Sequence, residues 1–297
     1  VTIADNAEIG GGLMPGLYLI ATPIGHARDI TLRALDLMHA ADVLVAEDTR
    51  SLRRLMELHG VRLNDRPLLA YHDHSGERVR QRLMAEMAAG KAVLYASEAG
   101  TPMISDPGFD LARAAIAEGH AVTSAPGASA VVTALTLAGL PTDRFLFAGF
   151  LPSAGGPRKT ALRELAAVPA TLVFYESPRR LVEMLEAALD MLGDREGAVC
   201  RELTKKFEET RRGRLSELLA HYRETAAKGE VVVVIGKGDS GNVREFDLEQ
   251  EVNKALETMS VRDAADYVAA RLGVKRRTVY QLAMRLSDGK QADRKVE

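Results

Sequence analysis

Tryptophan is absent from the 297 residues, cysteine occurs once, and aromatic residues make up only 5% of the chain. A single cysteine excludes an internal disulfide framework and suits a reducing, cytoplasmic setting. Cys200 lies in the strand-like run Ala198-Val199-Cys200-Arg201 and reads as a small buried hydrophobe, since no electropositive pocket around it can be argued. Also missing is any apolar run near the roughly 20 residues needed to cross a bilayer, so no membrane partner is expected. Residues 1–14 contain Gly10-Gly11-Gly12 but no basic stretch leading into an apolar one. They read as a disordered leader, not a secretory signal.

Several chemical signatures are lacking as well. No Gly-x-Gly-x-x-Gly follows the first strand-like run and no Gly-x-x-x-x-Gly-Lys-Ser/Thr occurs, which disfavours a dinucleotide enzyme or a phosphate-loop hydrolase. There is no Gly-x-Ser-x-Gly nucleophile turn. His72 and His74 flank Asp73, but the spacing offers two ligands and no third, so no metal is expected. The net charge is only −2, which excludes a uniformly basic coat. The charge is uneven, however. Residues 1–150 carry 13 basic and 17 acidic side chains, residues 151–238 carry 15 and 13, and Tyr267 to Ser287 carry five basic and none acidic. A nucleic-acid partner would be met by the second half and the tail.

What is present is alternation. Gly16–Ala21, Asp42–Ala46, Pro67–Tyr71 and Ala92–Ala96 are short apolar runs separated by amphipathic stretches, such as the one that puts Leu52, Leu55, Met56 and His59 on one face. The pattern restarts with Phe145–Phe150, Ala170–Tyr175, Gly197–Leu203 and Val231–Ile235. Such alternation predicts α/β architecture with parallel or mostly parallel sheets. The expected organisation is an N-terminal α/β domain over 15–127, a second over 128–240, and a helical tail over 245–297. In the tail, Ser260 to Leu272 reads as a helix ending at Gly273. Lys275-Arg276-Arg277 then opens another, which is a helix-turn-helix pattern.

Ligands of open α/β sheets sit beyond the carboxyl ends of the strands. That rule singles out Thr22–Gly25, Glu47–Arg50, Tyr71–His74 and the glycine- and proline-rich Ser97–Gly108, where Asp106 and Pro107 are suited to open a helix. The segments Leu19–Gly25, Ala46–Arg50, Tyr71–His74, Ala99–Gly108, Pro126–Ala130, Phe174–Arg180 and Arg201–Glu209, in this order, are similar to the small-subunit ribosomal RNA methyltransferase I family of the tetrapyrrole methylase superfamily. The resemblance spans about Gly16 to Gly238. One departure is Ser97-Glu98-Ala99, where the family usually has Ser-Asp-Ala.

The resemblance implies a two-domain class III methyltransferase fold with a mixed sheet in each domain and a cleft between them. S-adenosylmethionine is implied as cofactor, with Pro23, Ala99, Gly100, Thr101, Ile104, Ser129, Ala130, Tyr175 and Leu203 as its contacts. It further implies a homodimer that methylates the ribose 2′-oxygen of a cytidine (1402) in 16S rRNA of the small ribosomal subunit, near the decoding centre. A ribose hydroxyl needs a base as its proton leaves. The candidates are Glu47, Asp48, His72, Asp73, His74 and Glu176, with Glu47 and Asp48 foremost, although that pair could simply cap the helix near Thr49. Lys205 is a candidate for stabilising the developing alkoxide. RNA phosphates are expected at Arg50, Arg179, Arg180, Lys206, Lys275, Arg276 and Arg277, with Arg211, Arg212 and Arg214 in reserve. Two other readings are open: a porphyrinoid methyltransferase of the same fold, and a nucleic-acid-binding regulator acting through the tail.

Overall fold

The structure is a computed structural model that describes residues 12–72, 76–104, 108–238, 245–272 and 274–293. The leader residues 1–11, Asp73, His74, the helix-opening pair Asp106 and Pro107, and the turn residue Gly273 lie outside the described residues. The chain forms two compact units. The first gathers the chain up to Ala138 with Cys200–Thr210 and Lys228–Val232; the second gathers Gly139–Val199, Arg211–Ala227 and the chain from Val233.

In the first unit β1 (Gly16–Ile20), β2 (Val43–Ala46), β3 (Leu68–Ala70), β4 (Ala92–Ala96) and β5 (Val122–Ala125) alternate with α1 (Leu32–Ala40), α2 (Thr49–Leu58), α3 (Gly76–Ala88) and α4 (Gly108–Ala117), and α5 (Ala130–Ala138) follows. The sheet order is β3-β2-β4-β1-β5, and β1 with β4, β1 with β5, β2 with β3 and β2 with β4 all pair parallel. The implied mixed sheet is therefore corrected here. Each strand from β1 to β4 is joined to the next by a helical crossover, the connection that parallel strands need.

Strand side chains alternate between two cores. Leu17, Leu19, Val43, Val45, Val93 and Tyr95 pack with Leu83, Met84 and Leu111 of α3 and α4. Ile20, Leu44, Ala46, Leu94 and Ala96 pack with Leu37, Met38, Leu52 and Met56 of α1 and α2. Each fully buried Leu or Val contributes about 1.5–3 kcal/mol, which explains strands that are apolar on both faces. The handedness follows from the order. α1 and α2 carry the chain toward β3 over one face, and α3 and α4 carry it back over the other, as right-handed crossovers require. The loops after the adjacent strands β1 and β4 therefore lead to opposite faces. That divergence opens a crevice at their carboxyl ends, the switch point where α/β sheets bind ligands.

The second sheet has the order β6-β7-β10-β8-β9, built from β6 (Phe145–Phe150), β7 (Thr171–Glu176), β8 (Glu196–Arg201), β9 (Glu209–Arg214) and β10 (Val231–Ile235), with α6 (Gly155–Leu165), α7 (Leu181–Leu192) and α8 (Leu215–Glu224). β6 and β7 run parallel, with a register shift between Phe147 and Phe150 where Gly149 takes φ 65°, a backbone that glycine adopts without strain. Gly236 donates to Glu196 O and Glu202 to Glu230 O, so β8 and β10 run antiparallel and this sheet is mixed. Cys200 is fully buried, as its apolar surroundings in sequence require. The tail folds as α9 (Glu245–Ala255), α10 (Val261–Leu272) and α11 (Arg276–Asp293) around Leu248, Val252, Val268, Val279 and Ala283.

Candidate active site

Three loops meet at the crevice of the first unit. Thr22, two residues past β1, exchanges both backbone hydrogen bonds with Gly100 at 3.0 Å, an antiparallel bridge across the switch point. Its buried hydroxyl donates to Ser97 O at 3.1 Å, and Ser97 Oγ donates to Gly100 O at 2.5 Å. Thr101 Oγ1 donates to Ala128 O at 2.9 Å, which ties in the loop after β5. Glycine is required here. Gly100 has φ 79°, and a Cβ on it would lie 3.1 Å from Ile24 Cγ2; one on Gly127 would lie 2.8 Å from Ala21 Cβ. Met103, with φ 70°, and Ile104 turn apolar side chains to solvent. The result is a rigid backbone cradle with an apolar lip.

A fourth segment supports the cradle. A Cβ on Gly25 would come within 2.5–2.7 Å of Lys205 Cγ, Thr204 Oγ1 and Leu203 O, so the loop after β1 rests directly on the turn after β8. In that turn Glu202 and Thr204 hold φ 51° and 62°, a conformation that is a genuine outlier for a β-branched residue. Thr204 accepts from His26 N at 3.0 Å, and its own amide donates to Glu208 at 2.6 Å. Lys205 Nζ lies 3.1 Å from both Glu202 and Glu230. Burial pulls the Lys205 pKa down, but the hydrogen bonds to Glu230 and Glu202 outweigh it and leave it raised. The Glu230 amide and then Lys205 hold the Glu202 carboxyl below its ordinary range.

Pro23, Ala99, Gly100, Thr101, Ile104, Ser129, Ala130 and Leu203 thus all belong to the first unit, on the cradle loops and the turn beneath them. Tyr175 lies on β7 of the second unit, packed edge-on against Phe147 and Phe150 at 4.8 and 5.6 Å. Asp48 is the N-cap of α2. Its carboxylate accepts from Arg50 N at 2.8 Å and from the Arg50 guanidinium at 3.0 and 3.2 Å, and the Arg50 guanidinium beside it lowers its pKa. Glu176, in the second unit, is buried. It accepts from Ser177 N at 2.7 Å and pairs with Arg180, which also donates to Leu151 O. Glu176 and Arg180 therefore hold the end of β7 together. Glu47 is half-buried after β2, and His72 is exposed after β3. Lys206 and Arg179 are exposed, with Lys206 over the ring of Phe207 at 5.5 Å. Lys275 and Arg277 are exposed at the start of α11, whereas Arg276 pairs with Asp266 of α10.

A cavity of about 590 Å³ adjoins the cradle, lined by Thr22, Pro23, Gly25, Ser97 and Glu98 on one side and by α2 on the other. Glu98 is exposed in it and makes no hydrogen bond or ion pair with the described residues. Sequence reasoning singled out Glu98 only as a departure from the family pattern, not as a base, and passed over Thr204 and the α2 wall. Backbone dihedrals and cavity shape have no signature in residue order. Among the described residues no cluster of three or more His, Cys, Asp or Glu is placed to hold a metal ion, and no helix is long and apolar enough to cross a membrane.

A parallel sheet with a glycine-lined cradle at its switch point defines a class of protein, and comparison with known proteins agrees. Residues 16–219 match the family of tetrapyrrole (corrin/porphyrin) methylases. The uroporphyrin-III C-methyl transferase of Thermus thermophilus, solved in complex with S-adenyl homocysteine, shares the fold with a TM-score of 0.52 at 21% identity, over 74% of this chain and 92% of that one. Diphthine synthase does so with 0.57 at 17%, over 74% and 89%. Within the class, residues 245–287 match the RsmI C-terminal HTH domain. Ribosomal RNA small subunit methyltransferase I of Mesorhizobium japonicum is 45% identical, covering 93% of this chain and 94% of that protein. Its namesake of Escherichia coli O157:H7 is 38% identical over 95% and 96%. The chain belongs to the ribosomal RNA small subunit methyltransferase I family.

Proposed function

We propose that this chain methylates the ribose 2′-oxygen of a cytidine (1402) in 16S rRNA, using S-adenosylmethionine, and works in the cytoplasm as a homodimer. The observation that carries this reading is the cradle. Gly127 leaves no room for a Cβ and Gly100 holds a positive φ with Ile24 close by, and the bridged backbone and exposed apolar lip suit a flat, polar-edged cofactor. Family membership and the tail's match to the RsmI C-terminal HTH domain favour RNA over a porphyrinoid substrate.

Bound S-adenosylmethionine supplies an electrophilic methyl group; the chain's residues do the rest. Pro23, Ala99, Gly100, Thr101, Ile104, Ser129, Ala130 and Leu203 of the first unit would hold the cofactor; Tyr175 is a further contact that the family resemblance implies. Methylation of the ribose hydroxyl would release its proton, and a carboxylate of the chain has to be placed to take it. Asp48 is spent on the helix cap and Arg50, and Glu176 on Arg180. Lys205 is shared by two carboxylates and acts as a support. Glu98 is assigned as the base because it opens onto the cavity beside Pro23 and Ser97, with Glu47 as the alternative. Glu98→Gln should slow single-turnover methylation about 100-fold with cofactor affinity kept; a normal rate would pass the role to Glu47.

The reading as a whole is tested with labelled S-adenosylmethionine, small ribosomal subunits and a porphyrinoid substrate. Label in 16S rRNA that makes one phosphodiester resistant to alkali is expected, because a methylated 2′-oxygen cannot attack the adjacent phosphate. Label on the porphyrinoid alone would overturn it.

A further inference from the structure

Helix α2 gives one stripe to the core and turns a second, mixed stripe toward the cavity. Leu52 and Met56 point into the core and are 3% and 2% exposed. Ser51, Arg54, Leu55 and Leu58 recur at i, i+3, i+4 and i+7, so they share a second stripe; all four line the 590 Å³ cavity, Leu55 from the edge of the core against which it also packs. Leu58 is 53% exposed, and the Arg54 side chain is 70% exposed with, among the described residues, a single 3.4 Å ion pair to Glu57. A lone exposed leucine needs no explanation. Two leucines and a guanidinium along one wall of a cavity that shares Pro23, Ser97 and Glu98 with the cradle do.

The geometry points to a subsite for one nucleotide of single-stranded RNA, the nucleotide that is methylated. This rests on the rRNA reading above and adds the residues that select the target. The cavity falls within the roughly 300–1,000 Å³ of small-ligand sites. Its charges are segregated. Asp48 and Glu98 lie at the strand ends, Asp48 already paired with Arg50, while Arg54 stands six residues past Asp48 along α2, about 9 Å on by helical rise. A base laid on Leu55 and Leu58, its phosphate at Arg54 and its ribose toward Glu98, would meet an apolar, a cationic and a proton-accepting group among the lining residues of one cavity. Single-strand readers combine a flat hydrophobic platform with a cation in this way.

The test uses the full chain and small ribosomal subunits lacking the modification. Arg54→Glu and Leu58→Asp change exposed side chains, and Arg82→Glu serves as a control, being 55% exposed on α3, across the sheet from α2. KM for the subunit should rise about tenfold or more in the two α2 variants. Arg82→Glu should leave it within about twofold, and Arg54→Lys should recover much of the loss. Affinity for S-adenosylmethionine by calorimetry should be unchanged in all four. Wild-type KM in both α2 variants, an equal rise in Arg82→Glu, or lost cofactor binding in Arg54→Glu would overturn the subsite while leaving the rRNA reading intact. A wild-type chain that takes up the cofactor but leaves the subunit unmethylated would instead overturn that reading and the subsite with it.

Discussion

Thr204 sits at φ 62°, where a β-branched side chain is strained by about 1–3 kcal/mol. It persists because Glu208 holds its amide and its hydroxyl accepts from His26 N. The strain supports the Pro23–Gly25 loop, so the hydroxyl should matter more for ligand binding than for folding. Thr204→Val should cost about 0.5–1.5 kcal/mol in urea unfolding and weaken S-adenosylmethionine binding several-fold by calorimetry. Thr204→Ser should keep both near wild type, and equal losses in Ser and Val would remove the hydroxyl from the account. The sequence flagged the neighbourhood through Arg201–Glu209, but a positive φ at a threonine is invisible to propensity, which speaks against it.

The turn after β8 and the end of β7 show how elements hold their loops by charge. With its folded pKa depressed, Glu202 contributes stability above its ordinary value of 4.5, and that contribution disappears as pH falls through the folded value. Lys205, whose pKa is raised, contributes below its ordinary 10.5 and loses its contribution as pH rises through the folded value. Melting curves should show wild type more stable than Glu202→Gln at neutral pH, with the two converging below about pH 4; parallel curves would remove the charge from the argument. At β7 the Glu176 side chain is fully buried against Arg180. Glu176→Ala should cost about 3 kcal/mol by leaving Arg180 without its partner, while kcat of the folded fraction persists. A selective loss of kcat with unchanged stability would restore Glu176 as a base. β5 and β9 escaped the sequence reading for a related reason. Val122–Ala125 carries only one large apolar residue and Glu209–Arg214 none, and charge suits the edge position that β9 occupies.

At the scale of the molecule, α9, α10 and α11 close on a core of their own. Ending the chain after Gly238 should leave affinity for S-adenosylmethionine unchanged and raise KM for the ribosomal subunit, as read by filter binding and steady-state rates. Loss of cofactor binding would show that the tail supports the first unit. Residue order alone determined the α/β alternation, the glycine- and proline-rich strand-end loops and the basic opening of the last helix, because periodicity and turn chemistry are local properties. Only the tertiary structure decided which strands are neighbours, that Leu203–Lys205 comes back beneath Gly25, and that Asp48 caps a helix while Glu98 stays open. Those outcomes depend on contacts between residues far apart in the chain, set by the hand of the crossovers and the closeness with which backbones pack where a glycine has no side chain.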